Sequence, residues 1–271
     1  VNPEANPRHL TIAILFPQPL TTHTMRTLLV LLFSFHAGIS FSQTGAAGPG
    51  TLVEAGIPAL SREWSGDDYL QASKVLEQGK LPLPRLTDEQ GRLFIQRLTS
   101  TDNFSLLRND ALPLAKRMPH YFNLLAGATA ISGQYLSAAE KGLDFYHEVA
   151  QQLAFSLRIA ALGVQLMDEF MLTIPKDKNY AARMAGMQRA YGGLMKMFSG
   201  TADSLSETKL FSPADLTVLL TTMAETLPAM KKAFPAEFKL EFRKKLESHR
   251  AAFPDGEGAK AIQQMVDELG A

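Results

Sequence analysis

From Phe104 to the carboxyl end, apolar side chains recur at steps of three and four, and no stretch alternates apolar with polar as a half-buried strand would. That periodicity restricts the chain to helices packed on helices, so the expected fold is all-α. Prolines and glycines then mark where the helices begin and end. Ser65 can cap a first helix with Asp67 and Asp68 in its first turn, where carboxylates meet the positive end of the dipole, and Gly79 stops it. "KLPLPR" reads as an extended connector, because alternate prolines deny a helix both donors and space. Thr87 and Gln90 have capping-box spacing for a helix reaching about Leu98, and "TSTDN" is the next turn.

Beyond it, Pro113 and Pro119 break or restart the helix, Pro119 fitting a first helical position. The small residues of "LLAGATAISG", Leu124 to Gly133, let backbones approach closely. Tyr135 to Ile174 reads as one very long helix or two, with Gly142 the weak point and Pro175 with "KDKN" the end. A helix from Tyr180 to Phe198 follows, stopped by Gly200. Ser212 and Pro213 start another, which Pro228 should kink, and Pro235 starts a further one. "FPDGEG" separates that from a last helix ending near Leu269. The expected architecture is a single irregular bundle of about eight to ten helices, some of them proline-kinked.

"MRTLLVLLFSFHAGISFSQT" begins at Met25 and has the parts of an export signal. Arg26 supplies the positive start, Leu28 to Phe35 the apolar run, and Ser40 with Ser42 the small-x-small pattern before a cut at Gln43. The apolar run is shorter than the roughly 20 residues that cross a bilayer, and His36 interrupts it. The expected organisation is an upstream extension over 1–24, a signal peptide over 25–42, a Gly/Ala/Thr-rich flexible leader over 43–64, and a helical domain over 65–271. Reading Leu10 to Leu20 as part of a longer signal is the rival, but two prolines there oppose a continuous helix.

Removing 42 of the 271 residues leaves a mature chain of 229, enough for one substantial core. Taking Arg8, Arg26 and Glu4 from totals of 27 basic and 27 acidic side chains leaves 25 and 26. That balance lacks the basic footprint of nucleic-acid binding, and no basic run suggests attachment to anionic lipid. The chain has no cysteine, so it is stabilised by packing alone, and a lipoprotein anchor, a thiol nucleophile and cysteine-ligated metal are excluded. The expected location is the periplasm or beyond it, with no stable membrane insertion after cleavage.

Three helix faces and one tryptophan stand out. Tyr180, Met184, Met187, Tyr191, Leu194 and Phe198 lie on one helix face, widened by Met195. Polarizable thioethers adapt to a peptide or apolar ligand, and they also fill irregular core gaps. Leu216, Leu220, Met223, Leu227 and Met230 form a comparable stripe on the next long helix, and the two helices should pack as an antiparallel pair. On the long helix, Asp144, His147, Glu148, Gln151, Arg158, Gln165, Asp168 and Glu169 fall near one line, either a polar site or a solvated face. Trp64, the only tryptophan, is a candidate contact for a partner or a staple packed back on the helix that Ser65 caps.

Catalytic signatures are sparse. "HEVAQ" starts like a zinc-protease helix, but Gln151 stands where the second histidine belongs, and Asp144-x-x-His147 is half of a di-iron pattern. No metal and no cofactor is therefore expected, and enzymatic activity is unsupported. The expected function is recognition of a protein partner in the periplasm, in the manner of an inhibitor or immunity-type protein acting on a toxin or cell-wall enzyme. The alternative is a carrier of an apolar small molecule or lipid, and the third reading is a hydrolase with a carboxylate/His site.

Overall fold

The computed structural model describes residues 51–79 and 81–270, so the expected upstream extension, the export segment and residues 43–50 of the leader lie outside the described residues. Among the described residues there are eight α-helices and no strand: α1 (Gly66–Glu77), α2 (Glu89–Leu98), α3 (Leu114–Glu140), α4 (Tyr146–Thr173), α5 (Tyr180–Ser204), α6 (Pro213–Met230), α7 (Ala236–His249) and α8 (Gly256–Gly270). Three short 3₁₀ turns connect them at Thr101–Phe104, Lys231–Ala233 and Arg250–Ala252. The bundle is all-α, as the periodicity requires.

Local chemistry explains several of the ends. Ser65 and Asp68 form a reciprocal capping box on α1, and Ser212 and Asp215 form the same box on α6, with Pro213 opening that helix. Gly79 at φ +64° and Gly142 at φ +84° follow the ends of α1 and α3, in the left-handed region where side-chain-bearing residues are strained. Gly142 thus divides the expected long helix into α3 and α4.

Three ends differ from expectation. Asp88 caps α2, accepting from the Gly91 amide at 2.6 Å, in place of the Thr87–Gln90 box. Pro113 flanks the start of α3, while Pro119 sits inside the helix. Gly200 does not stop α5, which runs on to Ser204 because Thr201, Ala202 and Ser204 are buried.

Helix α4 is the axis, with α3 packed on one side and α6 on the other. By length and composition it could cross a bilayer, but 72% of its most apolar stretch is buried inside the bundle, so its apolarity is that of a core. Outside that centre, α1 lies on α3, and α8 packs on both α6 and α7. The expected α5–α6 pairing does not form: α6 gives its apolar stripe to α4 and α8 and meets α5 only marginally. The stripe itself is core, with Leu216, Leu220, Met223, Leu227 and Met230 all buried.

The α1–α3 crossing is close because both helices present glycine. A Cβ on Gly127 would lie 2.7 Å from the Leu70 backbone nitrogen, and one on Gly66 would lie 2.8 Å from the Asn123 Cβ. Beside this crossing, Trp64 precedes the Ser65 cap and stands edge-on to Tyr69, their ring centroids 5.5 Å apart, which is a hydrophobic staple. Phe94 closes on the same indole at 5.8 Å, and Phe155 of α4 stacks on Tyr69 at 6.0 Å. Within the expected flexible leader, residues 51–64 are held, since Leu52, Ile57 and Trp64 are buried in the core.

Candidate functional site: a methionine-lined cleft between α4 and α5

The last turns of α4 and the first half of α5 face each other across an open cleft of about 640 Å³. Asp168, Glu169, Met171 and Leu172 form the α4 wall, and Met184, Met187, Gln188 and Tyr191 the α5 wall. Leu172 is 88% exposed. The surface is mainly apolar, and on it the Tyr191 hydroxyl donates to Asp168 Oδ1 at 3.1 Å and Lys232 Nζ approaches Asp168 Oδ2 at 3.9 Å. Burial foremost, and then the Asp168 charge, pushes the Tyr191 phenol up to about 12, so it stays protonated and donating. Glu169 is engaged by Arg117 of α3, a buried guanidinium that also donates to the Leu107 and Leu112 carbonyls at 3.2 and 3.0 Å.

The cleft gathers Met184, Met187 and Tyr191 of the methionine and tyrosine face, while Met195 packs half-buried against the core. Trp64 is no surface feature: it is 1% exposed, its indole N–H donates to the Ala59 carbonyl at 3.1 Å, and it serves the staple. Periodicity did not single out Met171 and Leu172, which enter the site only because the end of α4 lies against α5.

The polar stripe of α4 is not a simple solvated face: Asp168 and Glu169 line the cleft, and three of its other members are tied to neighbouring elements. His147 Nδ1 contacts Asp215 Oδ1 of α6, and Glu148, buried, accepts from the Leu86 amide at 2.7 Å. Arg158 grips Glu225 of α6 with Nε and a terminal nitrogen at 3.0 and 2.8 Å and reaches the Thr222 hydroxyl at 3.3 Å. These residues are struts between α4 and its neighbours. Asp144 precedes α4 and is exposed. One member of the same helix is unprovided for: neither amide atom of buried Gln152 has a hydrogen-bond partner among the described residues.

Ser212, Asp215 and His147 bring together the residue types of a nucleophilic triad, but in the wrong order. The Ser212 hydroxyl donates to Asp215 Oδ2 at 2.6 Å, and His147 meets the other oxygen of the same carboxylate. Activation of a serine requires the imidazole between hydroxyl and carboxylate, where it can take the proton. Here the carboxylate is central, so the hydroxyl proton has no path to His147 and the constellation is a helix cap with a strut.

A second, smaller cleft of about 350 Å³ lies at the amino end of α1, with Arg62, Glu63, Ser105 and His120 among its polar lining. Arg62 and the carboxylates of this cleft are engaged within it. Arg62 clasps Asp68 at 2.8 and 2.6 Å, which foremost holds that carboxyl down at about 2, and Glu63 accepts from the Ser105 hydroxyl. Among the described residues no group of three His, Asp or Glu side chains could hold a metal ion. No protein-family model, curated protein or solved structure matches the chain.

Proposed function

We propose that the chain is an exported recognition protein, of the inhibitor or immunity type, which takes apolar side chains of a protein partner into the cleft between α4 and α5. The supporting observation is Leu172, 88% exposed at a cleft whose walls carry Met171, Met184 and Met187. A contiguous apolar surface held in water is unfavourable, and such surfaces mark interaction sites. Thioethers suit the task because their unbranched chains repack around differing side chains. The open form of the cleft favours a protrusion on a partner over a fully enclosed small molecule.

A photo-reactive residue at Leu172, with the chain exported in its own host, tests this reading. The expected result is one discrete protein adduct, absent when the same residue replaces Leu240 of α7, which is 55% exposed, and lost when Met184→Glu is added. Identical adducts at both positions, or none at Leu172, would sink it. The second reading, a carrier of an apolar small molecule, draws on the cleft volume of about 640 Å³, inside the roughly 300–1,000 Å³ range of ligand pockets. A small mass retained in native mass spectrometry and released on unfolding would favour it.

A further inference from the structure

Helix α5 is divided in two by its own burial. Along its second part, Met197, Phe198, Gly200, Thr201, Ala202 and Ser204 are buried. Phe198 meets the rings of Phe234 and Phe242 at 5.6 and 5.1 Å, while Lys245 donates to the Ser199 carbonyl at 3.2 Å and pairs with Asp203. Along the first part, Tyr180 to Lys196, only Met187 is buried. Among the described residues, one side-chain hydrogen bond ties that part to another helix: Tyr191 to Asp168.

Gly192 and Gly193 lie near the border between the two parts. Neither is glycine for lack of room, because a Cβ at either would meet nothing within 4 Å, and φ is not positive at either. Gly186 is nearly as free, its Cβ reaching only the far end of the Arg189 side chain at 4.0 Å. Glycine inside a helix is the least favourable residue apart from proline, and paired small residues are where helices bend. No cap side chain bonds the first turn of α5, and the local ties at its amino end, the Asn179 amide to Asp177 at 2.8 Å and Arg183 to the Pro175 carbonyl at 2.7 Å and to Asp177, run to the preceding loop and not to another helix.

We infer that Tyr180 to Tyr191 is a hinged flap, which pivots at Gly192–Gly193 and is latched by the Tyr191–Asp168 hydrogen bond. Because Met184, Met187, Gln188 and Tyr191 form one wall of the cleft, outward rotation opens it and return completes it. The role of the flap in admitting a partner rests on the recognition reading above. The motion itself belongs to the free chain and is tested there.

Amide hydrogen exchange on the free protein is the measurement. Amides of the flap are expected to exchange at least roughly tenfold faster than those from Met197 to Ser204 of the same helix, as a separately opening unit would. Replacing both hinge residues, Gly192→Ala with Gly193→Ala, should slow flap exchange by about tenfold, since alanine fits the open space and favours the helix. Tyr191→Phe should act oppositely and speed it several-fold, with the protection of α4 unchanged in both variants. Uniform protection along α5, or an alanine pair that leaves flap exchange as it was, would overturn the hinge. A mobile flap combined with no adduct at Leu172 would defeat the recognition reading alone.

Discussion

The Tyr121 hydroxyl of α3 occupies the space where a Cβ on Gly163 of α4 would stand, and the ring carbon bearing it would lie 2.7 Å from that Cβ. The glycine sets the approach of α3 to the central helix, and the ring is buried against it, which pushes the phenol well above its ordinary range. Gly163→Ala is therefore expected to destabilise the fold by about 1–3 kcal/mol despite alanine's better helix propensity. Tyr121→Phe should recover part of that loss, because it removes the overlapping oxygen and leaves the ring. A urea-denaturation double-mutant cycle reads the coupling, and strictly additive effects would contradict the overlap.

Asp68 is the most heavily engaged carboxylate near the amino end of the bundle. It accepts from the Ser65 amide and hydroxyl at 2.7 and 2.8 Å and from both terminal nitrogens of Arg62, and the Arg62 bonds are the chief cause of its low pKa of about 2. A carboxyl depressed in the folded state contributes stability that is complete above its unfolded value. That contribution is lost as pH falls through the folded value. Asp68→Asn is expected to cost about 1–2 kcal/mol at neutral pH, the ion-pair part being discounted because Arg62 is half exposed. The gap between variant and parent should then close between roughly pH 4, where a free carboxyl titrates, and pH 2. A gap that is constant over that interval would assign the cost to shape and hydrogen bonding rather than to charge.

What the sequence discloses is what its neighbours along the chain decide. Ser65 and Ser212 are legible as caps because a capping box closes within four residues. At α2 the same rule meets two adequate candidates, Thr87 and Asp88, and the choice falls to the carboxylate that reaches the Gly91 amide. Gly200 fails as a stop because its neighbours face the core and reward continuation of the helix. The polar stripe of α4 defeats local reading altogether, since the partners of His147 and Glu148 lie 68 and 62 residues away. For the cleft, periodicity exposes the α5 wall, whereas Met171 and Leu172 acquire meaning only from where α4 ends against α5.

The cap-and-strut reading of Ser212, Asp215 and His147 has a graded consequence. Asp215 is 3% exposed and holds both partners, so Asp215→Ala should cost about 2–3 kcal/mol by breaking the capping box and stranding the Ser212 amide. Ser212→Ala should cost about 1 kcal/mol, as a lost cap does. His147, 54% exposed, should matter least, and His147→Gln is expected to cost under about 1 kcal/mol. Chemical denaturation of the three variants gives the order. If the histidine variant proved the most damaging, the pair would be more than a surface strut.

Gln152 sits on the central helix at 2% exposure, and neither its amide nitrogen nor its amide oxygen has a partner among the described residues. Its neighbour one turn earlier, Glu148, is equally buried but is satisfied by the Leu86 amide at 2.7 Å. An amide removed from water without compensation costs about 1–3 kcal/mol, while methionine fills nearly the same volume with no such debt. Gln152→Met is accordingly expected to raise the stability of the bundle by about 1 kcal/mol or more, read as a higher urea midpoint at unchanged slope. Gln152→Ala should lower it, because the cavity left in α4's packed face outweighs the relief of the amide. A methionine variant less stable than the parent would mean that the amide is hydrogen-bonded in solution, to a water enclosed between α4 and its neighbours.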